Sequence, residues 1–394
     1  MRYVGTVVRG IRTPIIKEND DLATIVVDSL MNAQEAEGFK FKDKDVVAIT
    51  EAVVGISEGN YVTVDDVARD VQNKFPSKKI GVVNPILSRN RFSIVLKGIA
   101  RGMDKITLQT SFPSDEVGNG ILDEELLNES EFHLGSTISE EEYIENFGSW
   151  IHPFTGINMI DFYRELIESE GCEAEFVFSN DVKTILDYSD DVLTCDIHTR
   201  EKTTELLKSL GANVYGLHQV LTEPIDGSGF NPDYGLLGSN KATEEKLKLF
   251  PKTGDKLVRD VQKRLIDLTG KQIEVMVYGD GAFKDPVGKI WELADPVVSP
   301  AHTDGLIGTP NEIKLKYVSD NKFADLKGDE LKEAIKEEIR NKDKDLTGQM
   351  ITEGTTPRVL TDLIGSLCDL TSGSGDKGTP VVFIQGYFDN LAND

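Results

Sequence analysis

The apolar positions at the start of the chain alternate between two spacings. Short β-branched runs bounded by turn residues are typical of buried strands, whereas apolar positions three and four apart are typical of helices. On this basis the sequence predicts strands at residues 3–8, 45–54, 80–83 and 106–110, and helices at residues 21–34, 65–74 and 92–101. Regular alternation of the two kinds of element predicts an α/β fold.

A more compact β-α repeat follows between residues 136 and 225. Here the sequence predicts helices at residues 159–169, 181–186 and 199–210, interleaved with strands at residues 174–178, 192–195 and 213–216. The repeat is typical of a small Rossmann-like unit, but it contains no Gly-x-Gly-x-x-Gly fingerprint for a dinucleotide. We therefore expect a mixed α/β (α+β) fold in which residues 136–225 are an insert between an N-terminal part, residues 1–135, and a C-terminal part, residues 226–394.

Charge and composition limit the classes of partner. The chain of 394 residues has a formal net charge of -25, which argues against a nucleic-acid partner because its phosphates would be repelled. The three cysteines show no pairing pattern, which suits a reducing cytosol. Because no apolar run is long enough to span a bilayer and the first residues do not form a signal peptide, we predict a cytoplasmic protein without a membrane partner.

An acidic turn follows the apolar run at residues 273–277. Asp280 stands between Gly279 and Gly281, and the two glycines allow the backbone to turn sharply. The turn places a carboxylate at the carboxyl end of a strand, where open α/β sheets bind ligands and metals. Aspartate is also a common turn residue, so turn formation and metal binding are both interpretations of this motif.

Three glycine-containing loops are candidates for binding phosphate. The first, residues 10–14, follows the first predicted strand; the second, residues 235–241, precedes a helix predicted to start at Thr243; the third is residues 373–379. Glycine, serine, asparagine and lysine at a helix start suit an anion. An ordinary turn is the alternative for each loop.

Two arginines, Arg89 and Arg91, open the predicted helix at residues 92–101. A guanidinium at a helix start opposes the helix dipole, so it indicates either a bound carboxylate or phosphate or an ion pair with an acidic side chain. His198 follows a predicted strand in the segment Asp196-Ile-His-Thr-Arg200. It is a candidate for recognising a substrate, and a structural histidine is the alternative.

Taken in order, four blocks resemble the family of glutamate ligases that act on coenzyme F420-0. They are Gly10-Ile-Arg-Thr-Pro-Ile-Ile-Lys-Glu-Asn-Asp-Asp-Leu22, the stretch from Asp43 to Gly59, the stretch from Leu268 to Gly281, and the stretch from Thr361 to Gly386. Members of that family join the amine of an amino acid to a carboxylate with GTP and a divalent metal, through an acyl phosphate. They have a mixed α/β fold and form intertwined dimers, so the resemblance implies a ligase that is a homodimer.

The resemblance and the residue patterns together predict three sets of site residues, and they assign no catalytic residue. The predicted metal ligands, for Mg²⁺ or Mn²⁺, are Asp280, Asp362 and Asp233. The predicted binding residues for the co-substrate GTP or ATP are Arg12, Thr13, Pro14, Ser57, Glu58 and Gly59. The predicted binding residues for the small-molecule acceptor and the amino acid are Arg89, Asn90, Arg91, Ser239, Asn240, Lys241 and His198.

Two departures from the family pattern support other hypotheses. Leu237 stands where the family has an acidic ligand, and Ile56 stands where it has a lysine. Loss of these charges favours a non-catalytic ligand-binding or scaffold protein that keeps the ligase fold. A third hypothesis is a different nucleotide-dependent enzyme that uses Arg89, Arg91 and His198.

Overall fold

Helices and strands alternate over much of the first half of the chain, whereas strands follow one another directly between residues 274 and 302 and helices do so between residues 315 and 372. The computed structural model describes residues 3–83, 86–89, 91–116, 118–153, 155–196, 199–279, 282–284, 291–293, 299–352, 359–372 and 376–393. The strands are β1 (Val7–Ile11), β2 (Val46–Thr50), β3 (Tyr61–Thr63), β4 (Lys79–Val83), β5 (Lys105–Thr110), β6 (Thr137–Ser139), β7 (Glu173–Ser179), β8 (Asp191–Thr194), β9 (Asn213–Gly216), β10 (Asn240–Thr243), β11 (Lys246–Lys248), β12 (Glu274–Tyr278), β13 (Ala282–Lys284), β14 (Trp291–Leu293), β15 (Ala301–His302) and β16 (Val381–Gln385).

The helices cover the faces of the sheets. They are α1 (Leu22–Glu37), α2 (Glu51–Glu58), α3 (Val64–Lys74), α4 (Phe92–Gly102), α5 (Glu124–Glu129), α6 (Glu140–Phe147), α7 (Met159–Ser169), α8 (Arg200–Ser209), α9 (Gly254–Thr269), α10 (Leu315–Asn321), α11 (Gly328–Asn341) and α12 (Leu360–Ser372). The predicted mixed α/β class is confirmed. Among the described residues, the helices are all too short or too polar to cross a membrane.

A five-stranded sheet, ordered β1-β16-β2-β12-β15, contains both ends of the chain. β2 and β12 are parallel, and β16 is antiparallel to its neighbours β1 and β2. In consequence the carboxyl ends of β1, β2 and β12 lie together with the amino end of β16. We call this end of the sheet the site edge.

Alternation along β2 explains why it is apolar throughout. Val47 and Ile49 pack into one core with α1 and α9, whereas Val46 and Ala48 pack into another with α12. A strand covered on both faces needs apolar residues at every position, because successive side chains point to opposite faces.

The predicted strand at residues 45–54 is wrong in its second half. β2 ends at Thr50, and α2 begins at Glu51. An apolar run without clear period suits a buried strand and a buried helix equally, so the sequence pattern did not separate the two. Pairing ends the strand: Thr50 lies opposite Tyr278, the last residue of β12.

A six-stranded sheet, ordered β6-β7-β5-β4-β8-β9, contains the strands predicted for the Rossmann-like insert. Its five strands other than β6 are parallel. Their order reverses between β4 and β8, as in doubly wound sheets, where ligands bind beyond the carboxyl ends of the strands. The sheet draws β4 and β5 from before residue 135, so its limits differ from those of the predicted insert. The three-part domain division stays a prediction.

A small sheet, ordered β10-β11-β3, joins the two larger ones. The helix predicted to start at Thr243 is wrong, because residues 240–248 form the β10–β11 hairpin. β3 leads into α3, which begins with a capping box between Thr63 and Asp66 and packs against α4. This packing places the start of α4, with its arginines, near the site edge.

Candidate functional site

All four sequence blocks meet at the site edge, since β12 brings the block from Leu268 to Gly281 there beside β2. The backbone N–H of Thr13 donates to Gly378 O over 3.3 Å, and that of Thr50 donates to Pro380 O over 2.9 Å. The backbone N–H of Asn19 donates to Ser57 O over 3.0 Å. The loop after β1, the two ends of α2 and the start of β16 are therefore held together by backbone hydrogen bonds.

A buried ion pair lies at the centre of this edge. Lys248 Nζ is 3.0 Å from Glu51 Oε2, and the two residues are 6% and 4% exposed. Asn240 Nδ2 donates to the other carboxylate oxygen, Oε1, over 3.4 Å. Glu51 is also the first residue of α2, where the helix dipole favours a negative charge.

Two glycines make room for this pair. A Cβ atom at Gly279 would lie 2.5 Å from Glu51 Cγ, and one at Gly55 would lie 3.3 Å from the Cγ and Cδ atoms of Lys248. Glycine is therefore required at 279 for the close approach of the backbone to Glu51. Asp280 lies outside the described residues, but the residue before it is in contact with the buried carboxylate.

Arg91 brings a second cation to the site edge. It precedes α4 and is partly buried, and burial lowers the pKa of its guanidinium while the carboxylates of Glu51 and Asp369 act in the opposite direction. Arg89 is exposed, and Asn90 lies outside the described residues. Of the two predicted arginines, Arg91 is therefore the one placed among the buried charges.

The end of α12 closes the site edge. Tyr278, the last residue of β12, donates its hydroxyl to Ser372 Oγ over 2.6 Å. Burial, with the nearby charge of Asp369, raises the pKa of Tyr278 despite this hydrogen bond. Asp369 therefore acts on both Arg91 and Tyr278, and the sequence patterns did not select it.

Of the three predicted metal ligands, Asp362 and Asp233 lie among the described residues and Asp280 does not. Asp362 lies in the first turn of α12 and Ser372 in its last turn, about 15 Å apart along the helix axis. Asp233 is exposed in a turn held by Asn231. Among the described residues, no group of three or more histidine, cysteine, aspartate and glutamate side chains is arranged to hold a metal. Because Asp280 was not part of that search, the three assignments stay predictions.

The predicted nucleotide-binding residues lie in the loop after β1 and at the end of α2. Arg12 and Pro14 are exposed in the loop after β1. Glu58 accepts hydrogen bonds from the backbone N–H groups of Lys252 and Thr253, over 3.0 and 2.9 Å, just before α9. Its carboxylate therefore stabilises the start of a helix. Whether these residues, Thr13, Ser57 and Gly59 bind a nucleotide stays a prediction.

The three consecutive residues Ser239, Asn240 and Lys241 lie in different environments. Ser239 is 3% exposed, and its hydroxyl has no hydrogen-bond partner among the described residues. Asn240 contacts Glu51, whereas Lys241 pairs with exposed Glu244 over 2.5 Å. The buried lysine is Lys248, which lies directly opposite Asn240 in the β10–β11 pair.

The described neighbours of His198 form a separate polar cluster at the end of β8; His198 itself lies outside the described residues. Asp196 is 2% exposed, and its Oδ2 accepts hydrogen bonds from the hydroxyls of Thr199 and Thr203, over 2.7 and 2.9 Å. Arg200 Nε donates to His218 Nδ1 over 3.1 Å. Burial raises the pKa of Asp196 despite the two hydroxyl donors.

The chain matches one family model over most of its length. The model is described as F420-0:gamma-glutamyl ligase, and the match covers residues 10–386. A comparison with curated proteins finds no match. The family match confirms the resemblance drawn from the four sequence blocks.

Proposed function

Since the chain belongs to the F420-0:gamma-glutamyl ligase family, we propose that it joins the amine of glutamate, or of a similar amino acid, to a carboxylate acceptor. GTP or ATP is the proposed co-substrate, and Mg²⁺ or Mn²⁺ is the proposed metal. We also propose that the protein is a cytoplasmic homodimer. One observation carries the choice of site: Lys248 pairs with the buried carboxylate of Glu51, whose charge also acts on Arg91, where the four sequence blocks join.

The charges at the site edge suit the chemistry of a ligase. Forming an amide from a carboxylate requires activation, and phosphoryl transfer depends mainly on positioning and on stabilising negative charge. In a buried site, the ammonium of Lys248 and the guanidinium of Arg91 stabilise an anion more strongly than they would in water. An arginine also presents a planar pair of donors that matches a carboxylate or a phosphate.

The position of Lys248 compensates for a departure from the family pattern. Ile56 occupies the place of a family lysine and packs partly against the apolar core. The stem of Lys248, which belongs to β11, lies beside Gly55, the preceding residue, and its ammonium pairs with Glu51 in the first turn of the same helix. This relation supports a ligase that retains a cation at the site edge.

The assay measures phosphate release from GTP and from ATP with Mg²⁺ or Mn²⁺, L-glutamate and a panel of carboxylates that includes coenzyme F420-0. We expect release to require both the amino acid and an acceptor, with a glutamylated product detected by mass spectrometry. Arg91→Lys should reduce turnover, and Arg89→Lys is the matched control because Arg89 is exposed. Phosphate release that does not depend on the amino acid would support a different nucleotide-dependent enzyme instead.

A non-catalytic ligand-binding protein is the second proposal, and Leu237 favours it. This residue stands in place of an acidic family ligand and is buried in the larger apolar core. It therefore contributes no charge to a metal or nucleotide. Binding of nucleotide without phosphate release or product, under every metal and acceptor combination, would support this proposal over the ligase.

A further inference from the structure

A pocket separate from the site edge lies beyond the carboxyl end of β5, a strand of the six-stranded sheet. Its volume is about 370 Å³, within the range of small-molecule sites. The residues that line it are Pro113, Gly118, Gly120, Leu122, Asp123, Glu124, Trp150, Ile151, His152 and Pro153. Its position outside the carboxyl ends of parallel strands is where doubly wound sheets bind ligands.

One wall of the pocket is aromatic and apolar. The ring of Trp150 meets that of His152 edge to face, with centroids 5.7 Å apart. His152 is 4% exposed, and its Nδ1 accepts a hydrogen bond from the backbone N–H of Thr155 over 3.2 Å. Burial lowers the pKa of His152, and the hydrogen bond that its Nδ1 accepts requires that nitrogen to be unprotonated, so both favour the neutral imidazole. The imidazole therefore packs against the ring of Trp150 without adding a positive charge to the pocket.

Two acidic residues also line the pocket. Asp123 and Glu124 are exposed at the start of α5, and Asp123 Oδ1 accepts a hydrogen bond from the backbone N–H of Glu125 over 2.9 Å. This bond fixes the orientation of the Asp123 carboxylate. The lining residues named above include no lysine or arginine.

We propose that this pocket binds a small organic cation, namely a protonated amine on an apolar or aromatic body. An aromatic wall attracts a cation through its ring electrons, and the two carboxylates add direct attraction. The proposal goes beyond ligase activity and does not depend on it. The carboxylates of Asp123 and Glu124, which we call the rim, would repel an anion. The ligand of this pocket therefore differs in charge from the anions proposed at the site edge.

The pocket is also joined to the segment that carries Arg91. The buried side chain of Asp115 accepts a hydrogen bond from the backbone N–H of Leu87 over 2.7 Å and another from that of Asn119 over 2.9 Å. Asp115 lies between two lining residues, Pro113 and Gly118. One loop therefore forms a wall of the pocket and holds the chain that leads into α4.

The test uses Trp150 as the reporter in the full-length protein. The chain has two tryptophans, so Trp291→Phe leaves Trp150 alone. This variant is titrated with 2-phenylethylammonium, neutral 2-phenylethanol and anionic 3-phenylpropionate, by fluorescence and by calorimetry. We expect saturable binding of the amine, with the alcohol at least about fivefold weaker because it lacks the cationic attraction.

Charge-removing variants at the rim decide the proposal. Asp123→Asn with Glu124→Gln should weaken amine binding at least about fivefold, since asparagine keeps the helix cap while the charge is lost. Glu129→Gln with Glu131→Gln, at the far end of the same helix and just after it, also removes two exposed charges and should bind the amine unchanged. Equal affinity for the alcohol, unchanged binding in the rim variant, or no saturable signal by either method would overturn the proposal.

Discussion

Lys248 and Glu51 form an ion pair, 3.0 Å between Nζ and Oε2, that joins the β10–β11 hairpin to the first turn of α2. Both residues are buried, so each charge depends on the other for its compensation. The pair therefore contributes to the fold and also to the charge of the candidate site. These two roles can be separated by experiment.

Lys248→Met should destabilise the protein by about 3–5 kcal/mol, because it leaves the buried carboxylate of Glu51 without its ion-pair partner. The double variant Lys248→Met with Glu51→Gln should recover much of that loss, since neither charge remains. Urea unfolding of both variants and of Glu51→Gln alone gives the coupling energy. Additive losses in the double variant would contradict a coupled buried pair.

Gly279→Ala should disturb the site edge more than the rest of the fold. The added Cβ would lie 2.5 Å from Glu51 Cγ, so the carboxylate must move away from Lys248. We expect binding of GTP or ATP to weaken by about tenfold or more, equivalent to about 1.4 kcal/mol, as measured by calorimetry. Gly5→Ala is the control, because no atom lies within 4 Å of its added Cβ. Equal affinities in the two variants would count against the role of Gly279.

Arg91→Lys should weaken ligand binding more than it changes stability. A lysine keeps the charge but loses the paired donors of the guanidinium, and we expect about a tenfold loss of affinity for GTP or ATP. The same replacement at exposed Arg89 should have little effect. For each of the two variants, the affinity is measured by calorimetry and the melting temperature is measured separately. Both quantities are then compared with those of the wild type. An Arg91→Lys variant with unchanged affinity would remove Arg91 from the anion site.

Asp196→Asn tests the buried carboxylate at the end of β8 through its pH dependence. The folded protein raises the pKa of Asp196 above its ordinary value of 3.8, because burial disfavours the charged form. Ionised Asp196 therefore costs stability above the folded pKa, and this cost disappears as the pH falls below the unfolded pKa. Relative to Asp196→Asn, the wild-type protein should become more stable as the pH is lowered from 7 to about 3.8.

Unfolding free energies of the wild type and Asp196→Asn are measured by urea at several pH values. The exposed Asp187→Asn variant corrects for general effects of removing an acidic charge. A stability difference between wild type and Asp196→Asn that is constant across this pH range would show that the carboxyl has the same pKa in both states.

The order of the sequence blocks was enough to predict the family and the region of the site. Apolar runs and glycine turns are local features, so they predicted the strands and loops that meet at the site edge. The sequence patterns did not select the buried lysine. Lys241 follows Ser239 and Asn240 along the chain, but the chain turns into a hairpin and places Lys248 opposite Asn240.

Glu51 shows the limit of sequence patterns most clearly. The apolar run around it fitted a continuous strand, and only pairing between β2 and β12 decides that the strand ends at Thr50. Likewise, strand order places β4 and β5 in one sheet with β7 and β8, although they are distant along the chain. The sequence by itself determined the fold class and the family, because these depend on local spacing and block order. Tertiary structure alone decided which charges are buried together, because burial and pairing depend on segments that meet only after folding.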